Sequence, residues 1–199
     1  LRYIDYLKWA SLAVALTLLV FYVIGSSRAS AALRERAARE AERAASVIDA
    51  ELSRVPAVVN AVAADMSSGR VLKAGVSARL QGAIDITPQL LAVGAAYMPH
   101  QFDTNLRLHA PSFRRQGEST VFVPLDSLYD YTLGETRWYQ VGTTSTGGWT
   151  EPSTDSEQGP VVEYATPFTD PSSSTPAATV GVVHATMSLS EVDDLIQSL

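Results

Sequence analysis

The sequence contains no cysteine among its 199 residues, and it has only three histidines. Without cysteine the chain has no disulfide framework, no thiolate metal site and no thiol nucleophile. The histidines, at positions 100, 109 and 184, lie far apart and have no acidic cluster beside them. A zinc site needs three or four converging ligands, so no metal site is predicted.

Basic residues are also scarce, with 15 Lys and Arg against 21 Asp and Glu, which gives a net charge of −6. Proteins that bind nucleic acid usually carry a basic patch or stripe with interleaved aromatic side chains. No such stripe occurs outside the first helix, so nucleic acid is excluded as a partner.

Catalytic motifs are missing as well. The sequence has no nucleophile elbow, no glycine loop that cradles phosphate and no evident pair of catalytic carboxylates. We therefore predict that this chain is not an enzyme, has no catalytic residues and needs no cofactor.

A long apolar run is present near the N-terminus. Trp9 to Ser27 contains no charged residue, and 19 helical residues span about 28 Å, close to the hydrocarbon thickness of a bilayer. This predicts a transmembrane anchor over residues 1–27, although a cleaved signal peptide has a similar pattern. Five arginines follow the run, and a positive-inside count would place the domain after it in the cytoplasm.

Residues 28–68 are predicted to form one long stalk helix. Apolar or small side chains recur every three or four positions from Leu33 to Met66, and Arg and Glu fill the opposite face. Pro56 is expected to kink it. The first half has an alanine stripe that suits close contact with a second copy. A dimer stalk and a solvated connecting helix both remain open.

The remainder, residues 69–199, has the pattern of an α+β domain. A short helix is expected over Val76–Ile84 and a terminal helix from Ser190. The segment Asp170–Pro176 resembles a hairpin connection between strands. Strands are expected at Leu90–Met98, Leu106–Arg114, Thr120–Val123, Gly159–Phe168 and Ala178–Ser188. This order predicts an antiparallel sheet flanked by helices.

The segment Tyr129–Phe168 is rich in large aromatic residues but has no helical or strand periodicity in its middle. It holds two of the three tryptophans and four of the eight tyrosines. Tyr and Trp combine apolar area with a polar group. We interpret this segment as one wall of a small-molecule pocket.

The motifs YDYT, RWY, WTEP, VVEYATPF and GVVHATMSLSEVDDLI, which follow a membrane helix and a long helix, together resemble the extracellular Cache sensor family. The resemblance covers most of the chain and implies a PAS-like fold, as in the membrane-distal module of double Cache receptors. It also implies an extracytoplasmic ligand-sensing input domain of a bacterial inner-membrane signalling protein, with an output phosphatase or histidine kinase beyond the fragment. The implied ligand is a small organic acid, amine or amino acid, and the implied assembly is a homodimer through the long helix.

Eight candidate ligand contacts follow from position in that resemblance: Tyr129, Tyr131, Arg137, Trp138, Tyr139, Trp149, Tyr164 and Asp170. Each also has an ordinary structural interpretation, as core, turn or surface. The amino-acid-binding members carry an arginine where this chain has Thr136, so that contact does not carry over. A dimerising or partner-protein interaction module, without a small ligand, is the alternative function.

Overall fold

The structure is a computed structural model. It describes residues 2–144, 146–155, 159–172 and 178–190, with side chains from residue 34 onward. The terminal helix predicted after Ser190 and most of the connection predicted over Asp170–Pro176 lie outside the described residues.

The chain divides into two compact units, residues 1–47 and 48–199. Helix α1, Arg2–Ser67, contributes to both and contains Pro56. In the first unit, side chains 34–47 are mostly exposed, and one ion pair joins Arg39 to Glu35 across one helical turn at 3.2 Å. Exposed pairs of this kind contribute little to stability.

Among the residues whose side chains are described, no helix is both long enough and apolar enough to cross a bilayer. The side chains of the predicted anchor, residues 1–27, are not among those described.

The second unit is built on a seven-stranded antiparallel sheet with helices beside it, which confirms the predicted α+β class. In the described part of the chain, α1 is followed by the α-helices α2 Val76–Asp85 and α3 Arg137–Thr144. The strands are β1 Leu90–Tyr97, β2 Pro111–Gln116, β3 Ser119–Pro124, β4 Gly148–Trp149, β5 Ser153–Asp155, β6 Gly159–Thr169 and β7 Thr179–Ser188. The strand order is β3-β2-β1-β7-β6-β4, and β5 also pairs with β6.

The first face of the sheet is covered by α1 and α2. Val55, Val59 and Val62 of α1 are fully buried, and their spacing of three and four residues places them on one side of the helix. Leu80 and Ile84 of α2 join the same cluster. This apolar packing is the main stabilising contribution to the unit.

Arg115 on β2 fixes the end of α2 to the sheet. Its Nη2 donates to the carbonyl oxygens of Ile84 at 2.6 Å and Thr87 at 3.3 Å, and its Nε donates to that of Leu90 at 3.2 Å. The last carbonyls of a helix have no partner within the helix. The planar guanidinium, with its several donors, satisfies one such carbonyl at Ile84 and also binds the carbonyls of Thr87 in the connection to β1 and of Leu90 at the start of β1.

The second face is partly covered by α3 and the segment before it. Tyr131, Trp138 and Tyr139 form a buried cluster that also includes Val182 of β7. Gly142 allows the close approach of α3, because a Cβ at this position would lie 2.1 Å from Cγ1 of Val182.

The structure differs from the sequence predictions at three points. The second strand begins at Pro111, not at Leu106, because the N–H of Ala110 is taken by the Asp126 side chain at 2.8 Å, outside any strand ladder. Helix α3 was not predicted. The short strands β4 and β5 were also missed, since each has three residues or fewer.

Candidate functional site

A cavity of about 240 Å³ opens on the second face of the sheet. Strands β1, β2, β6 and β7 form its floor, and the segment around Tyr129 together with α3 forms one wall. Its lining residues are Leu91, Ala92, Ser112, Arg114, Val123, Leu125, Leu128, Tyr129, Trp138, Asp155, Val161, Glu163, His184 and Thr186. We call this space the sheet cavity.

Small residues on the central strands leave room for the sheet cavity. Ala92 of β1 and Ser112 of β2 line it, and Gly94 lies opposite His184 in the β1–β7 register. A Cβ at Gly94 would meet Nε2 of His184 at 2.7 Å and Cβ of Ser112 at 2.9 Å. Because Gly94 has no side chain, the imidazole of His184 fits into the floor of the cavity.

His184 is the most unusual polar residue of the site. It is 4 % exposed, and its ring stacks on that of Trp138 with centroids 3.9 Å apart. Neither ring nitrogen has a hydrogen-bond partner among the described residues. Burial lowers the pKa of His184 to about 3, so the imidazole is neutral at physiological pH and offers one donor and one acceptor.

Glu163 on β6 lies beside this imidazole. Its Oε1 is 3.9 Å from Nδ1 of His184 and accepts a hydrogen bond from Oγ1 of Thr186 at 3.3 Å. Burial raises the pKa of Glu163 to about 7, the bond from Thr186 lowers it, and the nearby charge of Asp155 raises it further. This carboxyl group therefore titrates near neutral pH.

An ion pair occupies another part of the lining. Nη2 of Arg114 on β2 lies 3.0 Å from Oδ2 of Asp155 on β5, and both side chains are about one third exposed. The pair joins β2 to β5, which pairs with β6, so that β1 and β7 lie between the two sides of the sheet that it connects. Because it holds one positive and one negative charge, it adds no net charge to the sheet cavity.

Of the eight candidate contacts, Tyr129 and Trp138 line the sheet cavity. Tyr129 is 42 % exposed; burial of its hydroxyl raises its pKa, a hydrogen bond from Trp138 lowers it, and the charge of Glu163 raises it. Trp138 is 4 % exposed and belongs also to the buried aromatic cluster. These two residues form the aromatic part of the wall.

Tyr131 and Tyr139 lie in the core beside the cavity and do not line it. The hydroxyl of Tyr131 donates to the carbonyl of Tyr97 at 2.6 Å and accepts from the N–H of His109 at 3.2 Å. Burial raises the pKa of Tyr131 to about 12. Tyr139 packs edge-on against Tyr131 with ring centroids 5.3 Å apart.

The other four candidates are placed elsewhere. Trp149 and Tyr164 face each other across β4 and β6 and pack on the helix-covered face of the sheet. Arg137 is exposed and pairs with Glu151 at 3.2 Å. It lines a neighbouring cavity of about 520 Å³, which shares Tyr129, Trp138 and Glu163 with the sheet cavity. Asp170 accepts hydrogen bonds in its own turn and lines a second cavity of about 260 Å³ beside Lys73. Their roles as ligand contacts remain predictions.

Glu163, His184 and Arg114 were not among the candidates. A signal for two of them is present in the sequence: Glu163 and His184 interrupt apolar runs in the two longest strands. Charged and imidazole side chains are rarely buried without a partner. A polar residue at an inward position of a central strand could therefore have been proposed as part of a site.

Metal binding has no structural support within the described part of the chain, where no three His, Asp or Glu side chains are grouped closely enough to hold an ion. The polar groups of the sheet cavity can instead bind an organic molecule through hydrogen bonds and charge.

No protein-family model matches the sequence, and no curated protein sequence matches it. Solved structures do match the fold. The extracellular domain of soHK1S-Z6, described as a histidine kinase, has a TM-score of 0.66 and 19 % sequence identity, over 77 % of this chain and 59 % of that chain. Methyl-accepting chemotaxis protein X has a TM-score of 0.63 and 16 % identity, over 84 % of this chain and 66 % of that chain.

The periplasmic sensory domain of the Campylobacter jejuni chemoreceptor Tlp1 matches with a TM-score of 0.55 and 10 % identity, over 77 % of this chain and 59 % of that chain. The chain therefore spans less than two thirds of the length of these structures. At this identity the likeness concerns the fold alone, which this chain shares with these three structures.

Proposed function

We propose that the chain is an extracytoplasmic ligand-sensing input domain of a membrane-bound signal transduction protein. The observation that carries the proposal is the sheet cavity, whose floor contains the buried imidazole of His184, without a hydrogen-bond partner among the described residues. Binding sites are usually concave, mostly apolar and equipped with a few placed polar groups. A ligand that bonds with His184 would also remove the cost of leaving its nitrogens unpaired.

The matched structures support a sensory role, since their names describe extracellular, chemotaxis and periplasmic sensory proteins. We extend this to a non-catalytic domain at the cell inner membrane, anchored by residues 1–27. A histidine kinase or phosphatase output would lie in another part of the whole protein.

The alternative of a protein-interaction module has less support. That function would use aromatic residues lying flat on the surface. Instead Tyr131, Trp138 and Tyr139 are each less than 9 % exposed, and Trp138 also forms part of the cavity wall. These three buried rings therefore do not form an open docking surface, and Trp138 supports the pocket.

We further propose that α1 mediates a homodimer and carries the response. Residues 34–47 of α1 expose the alanine-rich stripe, and the same helix contributes Val55, Val59 and Val62 to the core of the sensing unit. A ligand can act only by binding one arrangement of the domain more tightly than another.

A ligand screen of the full 199-residue chain in lipid nanodiscs tests the sensing proposal. Organic acids, amines, amino acids and neutral polyols are added singly, and the melting temperature is measured. A compound that binds only the native state raises this temperature according to its concentration relative to Kd. We expect at least one class to raise it by several degrees.

The variant Ala92→Phe fills the floor of the sheet cavity and should abolish that shift. Ala61→Phe, on an exposed position of α1, is the matched control and should keep it. If no compound raises the melting temperature, or if Ala92→Phe responds like the native chain, the sheet cavity is not the sensing site.

A further inference from the structure

The groups that face the sheet cavity favour a ligand of one charge type. Of the charged residues described in its lining, Arg114 is matched by Asp155 at 3.0 Å. Among the described residues, the basic side chain paired with Glu163 is the neutral His184, 3.9 Å away. Arg137 lines a neighbouring cavity with Glu163, but its guanidinium pairs with Glu151 at 3.2 Å. With Glu163 ionised, the described residues of the lining carry one positive and two negative charges. A carboxylate ligand would be repelled here, whereas a cation would be attracted.

Hydrogen-bond acceptors surround the same place. The Glu163 carboxyl group offers two oxygens, and neutral His184 offers one ring nitrogen as an acceptor. Oγ of Ser112 donates to the carbonyl of Val123 at 2.7 Å, so its lone pairs can accept from a ligand. An ammonium group has three donors and no acceptor, which suits this set.

The rest of the lining suits a short apolar body. Leu91, Val123, Leu125, Leu128 and Val161 contribute aliphatic surface. Trp138 and Tyr129 add aromatic rings, which attract cations as well as apolar groups. A volume of about 240 Å³ holds about eight water-sized groups at roughly 30 Å³ each. A space of this size suits a small molecule.

We propose that the sheet cavity binds a small organic amine in its ammonium form, held between the carboxylate of Glu163 and the unpartnered imidazole of His184. This inference rests on the proposed sensing function and names the ligand class of the same site. The proposal also gives Glu163 a role. Burial makes ionisation of this carboxyl group unfavourable, and a bound ammonium group would favour its ionised form.

Three probes of matched shape test the charge type: phenethylamine, 2-phenylethanol and phenylacetate. Binding of each to the full chain in nanodiscs is measured by calorimetry at pH 8. We expect the amine to bind at least tenfold more tightly than the alcohol, and the acid to bind most weakly. The same order is expected for n-pentylamine, 1-pentanol and pentanoate.

Glu163→Gln keeps the shape of the side chain and removes its charge. It should weaken amine binding at least tenfold and leave alcohol binding unchanged. Glu118→Gln, at an exposed position in the β2–β3 turn, is the matched control and should change neither. The melting temperature of each unliganded variant verifies that it is folded.

The pH dependence gives a second measurement. The described titratable or charged groups that line the cavity are Glu163, His184, Arg114, Asp155 and Tyr129. Glu135 and Arg137 line a neighbouring cavity together with Glu163. The pKa of the Glu163 carboxyl group is raised to about 7 by burial. Amine affinity should therefore fall by up to about tenfold per pH unit below 7, and Glu163→Gln should remove this dependence.

Tighter binding of the acid or the alcohol than of the amine would overturn the ligand class. So would an unchanged amine affinity in Glu163→Gln. In either case other compounds of the screen can still bind, and the sensing proposal stands. Failure of every compound in both experiments would overturn the sensing proposal as well.

Discussion

At the scale of single residues, Glu163 and His184 influence stability in opposite directions with pH. The pKa of Glu163 rises from 4.5 to about 7 on folding, so stability is lost as pH rises through this range. The pKa of His184 falls from 6.5 to about 3, so stability is lost as pH falls through that range. Between pH 4.5 and 6.5 the two effects oppose each other.

In the Glu163→Gln variant, His184 should contribute to the pH dependence of stability without the opposing contribution of Glu163. Above pH 7 the variant is expected to be more stable by roughly 1–3 kcal/mol, because the native chain must ionise a buried carboxyl group. Urea unfolding across pH 4.5 to 8 measures this. The gain over the native chain should be largest at pH 8 and disappear near pH 4.5. An equal gain at both ends would show that Glu163 is not responsible.

Tyr131→Phe should destabilise the domain by about 1–3 kcal/mol, because it leaves the buried carbonyl of Tyr97 and the N–H of His109 without this hydroxyl. The free energy of unfolding in urea is the measurement. Tyr164→Phe is the control, since its hydroxyl bonds with Asn60 at 3.3 Å in an exposed position. Equal losses in the two variants would contradict the structural role of Tyr131.

At the scale of elements, α3 is the part that closes the aromatic side of the cavity. It has only eight residues and is held by close packing, since Gly142 leaves no space for a methyl group above Val182. Short helices have little stability of their own. The position of Trp138 in the cavity wall thus depends on the contact between α3 and the sheet.

Gly142→Ala is expected to destabilise the domain by about 1–3 kcal/mol through overpacking against Val182. Gly82→Ala in α2 is the matched control, because a Cβ there meets nothing within 4 Å. Alanine at Gly82 should stabilise its helix by roughly 0.5–1 kcal/mol. Thermal unfolding compares the two variants. A stable Gly142→Ala variant would show that the α3 contact can open.

The same element shows what sequence patterns could and could not predict. The spacing of Val55, Val59 and Val62 predicted the core stripe of α1, and the long apolar runs predicted β1, β6 and β7. Arg137–Thr144 has no long periodic run, so its helix depends on tertiary contacts that a single sequence does not reveal. The aromatic segment predicted a pocket wall, and Tyr129 and Trp138 line the cavity. The ion pair in the lining was missed, because Arg114 and Asp155 meet from strands distant in the chain.

At the scale of the whole molecule, the two units should differ in local stability. Residues 34–47 of α1 are mostly exposed, whereas Val55, Val59 and Val62 are fully buried. Segments with few buried apolar contacts open at low free-energy cost. Helix α1 is thus stabilised by apolar packing around Val55, Val59 and Val62, whereas residues 34–47 depend mainly on the hydrogen bonds within the helix.

Hydrogen exchange with mass spectrometry tests this difference. In a monomer, amides of residues 34–47 should exchange at least tenfold faster than those of residues 55–66. Strong protection of both segments that weakens on dilution would support the proposed dimer through α1. Equal protection at all concentrations would contradict the expected difference in packing.

Strand β6 links the sheet cavity on one face of the sheet to the long helix α1 on the other face. Glu163 lines the sheet cavity, while Tyr164, the next residue, points to the opposite face and bonds with Asn60 of α1. Because successive side chains on a strand point to opposite faces, a single peptide unit separates the cavity from the long helix. Any ligand that displaces β6 must therefore also move the surface on which α1 rests.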